Sequence, residues 1–465
     1  MLRFFKTYYP IRNVFFVIGE GLFIFTAVLI AGWALMGSND IRYVPDILFK
    51  SLLITFVCQS CLYYNDLYDL KITDSMGEMG IRLLQALGAA AILLAIVYFF
   101  FPPAIIGRGV FEASVALVIF MIASWRFGYM YVLDRGLFDQ KIVLIGSGEL
   151  ARNILKEVVD KRDSGYQVPL VLTECDEDAA CIRDIFPKCR CQNNYQGLVE
   201  LVRGTGSKTL VVAMGDQRGR FPADELLRCR VEGINILDGS TFYEELTGKL
   251  IVEQIKPSWL IFSDGFRKSW LRRVVKRIAD IASSAILLVL TGPLMAAVAI
   301  LIKLDSPGPV IFSQERVGQH KRPYMVHKFR SMVADAEQHT GPVWAKDEDD
   351  RITRVGRVIR KLRIDELPQL WNVLKGEMSM VGPRPERAHF VEQLEAVIPF
   401  YRERFSVKPG ITGWAQVSYG YGASVDDAIE KLNYDLFYIK NLSIFIDIMI
   451  MLKTVKIVLF RRGAR

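Results

Sequence analysis

Long apolar stretches separated by short polar links fill the first third of the chain. Val14–Met36, Ile47–Tyr64, Leu83–Phe101 and Val110–Val132 each approach the roughly 20 residues that cross a bilayer as a helix. Glu20, Glu112 and Arg126 interrupt them and blur their ends. Charge orients the set. Arg3, Lys6 and Arg12 precede the first stretch, and Lys71 and Arg82 lie in the second loop; the two opposite loops carry only Arg42 and Arg108. The positive side stays inside. The pattern predicts a four-helix transmembrane block over residues 1–136, both ends cytosolic.

The pattern changes at Lys141. Lys141–Ile145 reads as a strand, and Gly146-Ser147-Gly148-Glu149-Leu150-Ala151 opens a helix. Val168–Leu172, Thr209–Ala213 and Ile234–Leu237 read as later strands with helices between them. That alternation predicts a Rossmann-like cytosolic α/β domain over 137–255. Gly146 and Gly148 are candidates for holding a nucleotide phosphate, but a single Gly-x-Gly-x-x-Ala turn is a weak sign. The next acids, Glu174 and Asp176, stand further on than the about 20 residues usual for a ribose-binding acid. A structural or regulatory module is the favoured reading, with a surface for a homodimer.

Ile286–Ile302 is a different kind of apolar segment, with Pro293 at its centre and Gly292 beside it. Proline removes an N–H and clashes with the preceding turn. Basic residues flank both sides, crowded between Phe266 and Arg277 and again at Lys303, Arg316, Lys321 and Arg322. Both flanks therefore belong on the cytosolic side, which predicts a re-entrant helix over about 274–304 that breaks at Pro293. It opens a monotopic domain over 256–465. Ser443–Phe460 is apolar but carries Asp447, Lys453 and Lys456, and reads as a helix lying in the membrane interface.

Composition agrees. The chain is 51% hydrophobic with a formal charge of +8 and a mean hydropathy of +0.24. Apolar plus basic points to an anionic lipid bilayer and phosphate ligands. Nucleic acid is not expected, since no nucleic-acid-binding motif accompanies the basic runs. Cys58 and Cys61 fall in an apolar helix, where packing is the default. Cys175, Cys181, Cys189 and Cys191 match no standard zinc spacing. The four histidines are scattered; His327 precedes Lys328 but reads as a packed or surface residue.

Asp365 and Glu366 carry the chemistry. Leu367, Leu370, Trp371 and Leu374 repeat at helical spacing, and Pro368 is tolerated in a first turn. The two carboxylates thus stand at a helix N-terminus, where capping is the ordinary explanation. Their surroundings ask for more: Lys328-Phe329-Arg330-Ser331-Met332, Arg357-Val358-Ile359-Arg360-Lys361 and Val381-Gly382-Pro383-Arg384-Pro385. Two prolines stiffen the backbone at Arg384, which suits a guanidinium held for bidentate phosphate contact. Cations converging on two carboxylates describe a polyanion site with Mg²⁺ between carboxylate and phosphate.

The first and last of these blocks resemble the bacterial sugar transferases, the polyprenyl-phosphate hexose-1-phosphate transferases. Four more blocks share the likeness: Asp305 to Phe312, Gln314 to Gly318, Asp365 to Leu370 and Pro409 to Val417. The order holds through 268–465. Gly341 to Trp344 and Gly420 to Ala423 are similar to the exopolysaccharide members, and the whole chain is similar to their long form. The resemblance implies that Asp365 attacks the β-phosphorus of a UDP-sugar, expels UMP, and passes the sugar phosphate to undecaprenyl phosphate. It implies Glu366 as the metal-linked partner, Lys328, Arg330, Arg360 and Arg384 as phosphate-binding cations, a re-entrant helix at Pro293, and glucose ahead of galactose as the sugar. It also implies the bacterial inner membrane, with the site facing the cytosol. Two rivals stay open: a membrane-anchored nucleotide or redox sensor built on Gly146–Ala151, and a membrane nucleotide-sugar dehydratase.

Overall fold

The computed structural model describes residues 2–4, 7–9, 11–36, 44–68, 76–135, 139–160, 164–173, 182, 186–187, 189–215, 221–254, 269–333, 351–420, 422 and 424–460. The chain forms two compact units: residues 1–4 with 8–242, and 5–7 with 243–465.

In the first unit, the apolar stretches become four helices: α1 (Ile11–Met36), α2 (Val44–Tyr64), α3 (Met76–Phe100) and α4 (Arg108–Asp134). α1 packs on α4 and α2, and α2 packs on α3. Small residues line the contact, with Ala27 and Ala31 buried beside Ile54, Val57 and Ile122. Outward faces are apolar: Phe56, Phe99 and Phe120 are each at least 70% exposed, a pattern suited to lipid rather than water. Glu20 and Arg126 answer each other. The Arg126 Nε donates to Glu20 Oε1 at 2.7 Å, and its NH1 donates to the Leu67 carbonyl at 2.8 Å. Both side chains are almost fully buried, so each charge is tolerated only because the other is there.

The α/β part is a five-stranded parallel sheet of β1 (Gln140–Ile145), β2 (Tyr166–Leu172), β3 (Arg190–Gln192), β4 (Thr209–Val212) and β5 (Asn235–Asp238), with helices α5 (Glu149–Asp160), α6 (Leu198–Gly204), α7 (Ala223–Val231) and α8 (Gly239–Thr247) between and after the strands. The order is β3-β2-β1-β4-β5, the doubly wound order 3-2-1-4-5-6 without its last strand. The sequence pattern missed β3, which has three residues and no apolar run. Gly146 has a local reason to be glycine. Its φ is +124°, and a Cβ there would sit 2.3 Å from the Ala213 carbonyl. Ala213 N–H also bonds Ile145 O at 2.7 Å, so the glycine lets β1 and the end of β4 close together. A Cβ on Gly148 would meet nothing nearer than 3.9 Å. Glu174, Asp176, Cys175 and Cys181 lie outside the described residues.

The second unit takes in the chain from Tyr243 onward. Leu250 and Val252 are buried in its core. Val252 N–H donates to Asn433 Oδ1 at 2.9 Å, and Trp414 Nε1 donates to Gly248 O at 2.8 Å. The long helix α9 runs from Trp270 to Asp305 with Pro293 inside it. The helix runs unbroken through Pro293, so the break expected there is not seen. Hydrogen bonds on either side carry the helix past the single missing N–H. Val289 and Leu290 are 78% and 70% exposed, whereas Asp280, Ser284, Val298 and Ile302 are buried. Both ends of α9 dock on the same unit. Near the start, Asp280 Oδ1 accepts from Ser379 Oγ and Met380 N–H, each at 3.0 Å. Near the end, Val298 and Ile302 pack with Phe329 and Ile359. Among the described residues, α1–α4 and α9 are the five helices long and apolar enough to cross a membrane.

Candidate active site

Two antiparallel strands, β6 (Ile311–Val317) and β7 (Pro323–Phe329), carry Lys328 opposite Phe312. Downstream, α10 (Arg354–Lys361) is N-capped by the Thr353 hydroxyl, which accepts from Gly356 N–H at 2.9 Å. Asp305, at the end of α9, accepts from Val355 N–H at 3.0 Å and fixes where α10 begins. After α10, Arg363 adopts a left-handed conformation at φ 57° and reverses the chain into a tight 3₁₀ turn, Ile364–Glu366. Helix α11 (Gln369–Lys375) follows, with Pro368 just ahead of it. The carboxylates stand at a helix start, as the sequence suggested.

Asn372 registers this helix against β7. Its Oδ1 accepts from His327 N–H at 3.1 Å, and its Nδ2 donates to the Met325 carbonyl and to Glu377 Oε2, each at 2.7 Å. Asn372 is fully buried, so losing a partner would strand a polar group. That clamp brings Lys328 to Glu366. Lys328 Nζ donates to Glu366 Oε1 at 3.2 Å, and Arg384 NH2 donates to the same oxygen at 3.2 Å. Arg363 NH1 approaches it to 3.7 Å. Three cations meet on one carboxylate oxygen.

Asp365 differs. Both acids are only 8% exposed, yet no described residue hydrogen-bonds the Asp365 carboxyl. Burial, then the charge of Glu366, push its pKa up; Lys328, Arg360 and Arg363 offset only part of this. Burial pushes Glu366 up as well, but Lys328, Arg384 and Arg363 together outweigh it and hold the carboxyl well below its ordinary range. Burial draws Lys328 down, against the pull of Glu366. The outcome is a firmly ionised glutamate beside an aspartate whose charge is poorly compensated. A desolvated carboxylate of that kind is a candidate nucleophile.

The donor set fits Mg²⁺, which takes one or two carboxylates and leaves its other positions to water and substrate phosphate. Among the described residues Asp365 has no hydrogen bond to give up, and the cations on Glu366 occupy Oε1. Among the described residues no cluster of three or more His, Cys, Asp or Glu would form an all-protein metal cage.

The structure gathers Lys328, Glu366, Arg384, Arg363 and Asp365, with Arg360 near enough to act on Asp365 through its charge. It does not bring Arg330 to them. Arg330 is buried and wraps the end of α9, donating to Pro307 O at 2.8 Å and Ser306 O at 2.7 Å. β7 stops at Phe329, so the alternation that would have aligned Arg330 with Lys328 ends first. The His327 ring pairs with Ser313 Oγ at 2.9 Å rather than with the carboxylates. Sequence reasoning missed Arg363 and Asn372, although both lie in the run that contains the carboxylates. Gly341 to Trp344, Tyr421 and Ala423 fall outside the described residues.

The family model "Bacterial sugar transferase" matches residues 271–461, nearly all of α9 and every residue of this site. A Rhizobium leguminosarum bv. phaseoli exopolysaccharide production protein, PSS, is 42% identical over 191 residues, and the match covers 94% of that protein and 39% of this chain. The chain belongs to the bacterial sugar transferases. A UDP-N-acetylgalactosamine-undecaprenyl-phosphate N-acetylgalactosaminephosphotransferase of Aeromonas hydrophila is 48% identical over 240 residues, 52% of this chain and 56% of that protein. A UDP-glucose:undecaprenyl-phosphate glucose-1-phosphate transferase of Escherichia coli K12 is 43% identical over 191 residues, 40% of each chain. The chain thus matches about half the length of these two relatives or less.

Proposed function

We propose that this bacterial sugar transferase moves a hexose-1-phosphate from a UDP-sugar to undecaprenyl phosphate, releasing UMP, as the first membrane step of exopolysaccharide or related glycan assembly. The observation that carries the reading is the poorly compensated Asp365 beside a glutamate gripped by Lys328, Arg384 and Arg363. In the first step an Asp365 oxygen bonds the β-phosphorus, the bond to the bridging oxygen breaks, and UMP leaves with that electron pair. In the second, an oxygen of the lipid phosphate bonds the same phosphorus and the Asp365 carboxylate leaves. Splitting the displacement this way replaces one hard step by two easier ones. Lys328, Arg384 and Arg360 hold the phosphates, and positioning plus charge neutralisation supply most of the rate. Asp365 and Glu366 would hold Mg²⁺, which neutralises pyrophosphate charge when bound.

The membrane arrangement we propose is a four-helix transmembrane block, α1–α4, in the bacterial inner membrane, with α9 entering from the cytosolic side and returning. Support comes from α9 itself: both ends dock on one catalytic unit while Val289 and Leu290 stay exposed. The C-terminal helix Ile444–Phe460 leaves Ile448, Leu452, Val455 and Leu459 exposed, a stripe suited to the interface.

Two outcomes test this. Membranes holding the chain should release UMP from a UDP-hexose only when undecaprenyl phosphate is present or in a single-turnover burst, and EDTA should stop it. A panel of UDP-glucose, UDP-N-acetylgalactosamine and UDP-galactose identifies the sugar; UDP-glucose and UDP-N-acetylgalactosamine come first because relatives are named for each. No UMP from any of them would sink the reading. For topology, single cysteines at Arg273→Cys and Arg322→Cys should both resist an impermeant external label and react once the membrane is opened. Arg322→Cys reacting from outside would make α9 a true span. Pro293→Ala should restore the missing N–H and straighten α9, and turnover should fall about tenfold, because a small displacement of the site from the bilayer plane is costly to a positioned reaction.

A further inference from the structure

The run that carries Arg384 is held by four consecutive carbonyls. Pro383 O accepts from Gly410 N–H at 2.9 Å, and Glu386 O accepts from Val317 N–H at 3.0 Å. Pro385 O accepts from Arg316 NH1 at 3.3 Å, and Arg384 O accepts from Arg404 NH2 at 3.2 Å. Two of these four residues are prolines with no N–H to give, so the carbonyl side must carry the anchoring. The bond on Arg384 itself comes from Arg404.

Arg404 is an unusual residue to spend on a backbone carbonyl. It is 6% exposed, and its counter-charge Asp435 is 2% exposed. The Arg404 NH2 also donates to Asp435 Oδ2 at 2.9 Å, and its NH1 donates to the Tyr401 hydroxyl at 2.5 Å. Neither Arg404 nor Asp435 hydrogen-bonds Asp365 or Glu366. A buried ion pair is weak evidence for stability, because apolar residues of similar size often serve as well or better. A geometric purpose explains it. The Arg384 side chain is 41% exposed and long enough to take many rotamers, so a rigid backbone is what limits where its guanidinium can go. Preorganised donors are most effective when they need not reorganise during reaction.

We infer that Arg404 is a positioning residue for Arg384, with Asp435 the buried counter-charge that keeps the Arg404 guanidinium on the Arg384 carbonyl. The inference rests on reading Arg384 as a phosphate ligand, and the test separates the two. The full-length chain carrying Asp365→Asn, which cannot turn over, is titrated with UDP as the pyrophosphate probe. Arg384→Ala sets the scale. Arg404→Lys keeps the charge but cannot reach both the carbonyl and Asp435; it should weaken UDP by about tenfold. Added to Arg384→Ala, it should change little further, because its effect passes through a side chain already gone. Asp435→Asn, nearly isosteric, should behave the same way with a smaller loss, and it decides by the same criteria should Arg404→Lys fail to fold. Thermal unfolding of each variant confirms that bound and unbound states are compared on folded protein. Independent, multiplying losses, or undiminished UDP binding by both variants, would overturn the positioning role. Unchanged binding by Arg384→Ala would instead overturn the phosphate reading, and this inference with it.

Discussion

Asp365→Asn should abolish UMP release and lipid-linked product together, by about a thousandfold or more, since the amide cannot act as the carboxylate nucleophile. The same change should not harm the fold. No described residue hydrogen-bonds the Asp365 carboxyl, and its pKa is raised by burial and by Glu366. The sign follows. A carboxyl raised in the folded state favours folding most when protonated, and that advantage is lost as pH rises from the unfolded value through the folded one. At neutral pH the ionised Asp365 therefore costs stability, and asparagine removes that cost. Purified Asp365→Asn should melt at or above the parent temperature while dead in the assay, the usual signature of a site strained for function. In the parent, kcat/KM should fall on the acid side as Asp365 takes up its proton, at a pH above the ordinary aspartate range. Measured turnover close to the parent would remove Asp365 from the nucleophile role. A clearly lower melting temperature would instead mean that the side chain holds the turn together.

Why the site was partly legible follows from the range of each interaction. The carboxylate pair, the proline beside it and the helix behind it are neighbours in sequence, and helical spacing shows where they fall. Glu366 lies 38 residues from Lys328 and 18 from Arg384. Nothing local dictates that these meet, and it was the resemblance to a family that joined the blocks. Arg330 shows the limit. Two residues from Lys328 in a strand, it should face the same way, but β7 ends one residue too soon and the Ser306 and Pro307 carbonyls just past α9 capture the guanidinium. Arg363 shows the opposite failure. Extended backbone would carry it away from Glu366, and here a left-handed turn folds it back, a conformation that few arginines adopt. Of the larger elements, the apolar helices were plain from length alone. Glu20 and Arg126 looked like blemishes because each partner lies more than a hundred residues from the other. The sheet emerged strand by strand except for Arg190–Gln192, which owes its place to the neighbouring strand rather than to its own residues.

Glu366→Gln carries the second large effect, and for a different reason. Glutamine keeps the shape and one acceptor oxygen but removes the charge on which Lys328, Arg384 and Arg363 converge. The three cations then repel one another without relief, and Arg384 and Lys328 lose the anchor that aims them at phosphate. Turnover should fall about a hundredfold or more, and the Mg²⁺ concentration for half-maximal activity should rise. Stability should fall too, by about 1–2 kcal/mol, a value reduced for the partial exposure of Arg363 and Arg384. The pH dependence distinguishes charge from shape. The Glu366 carboxyl is depressed in the folded state because three cations overcome its burial. Its contribution is therefore complete above the unfolded glutamate range and is lost progressively as pH falls from there towards the much lower folded value. The melting deficit of Glu366→Gln should stay level from about pH 8 to pH 5 and close only in stronger acid. A deficit that already shrinks between pH 6 and pH 5 would mean that Glu366 is not held ionised by its neighbours. Near-normal turnover with an unchanged metal requirement would mean that the cations aim themselves, and that the carboxylate at their centre is structural.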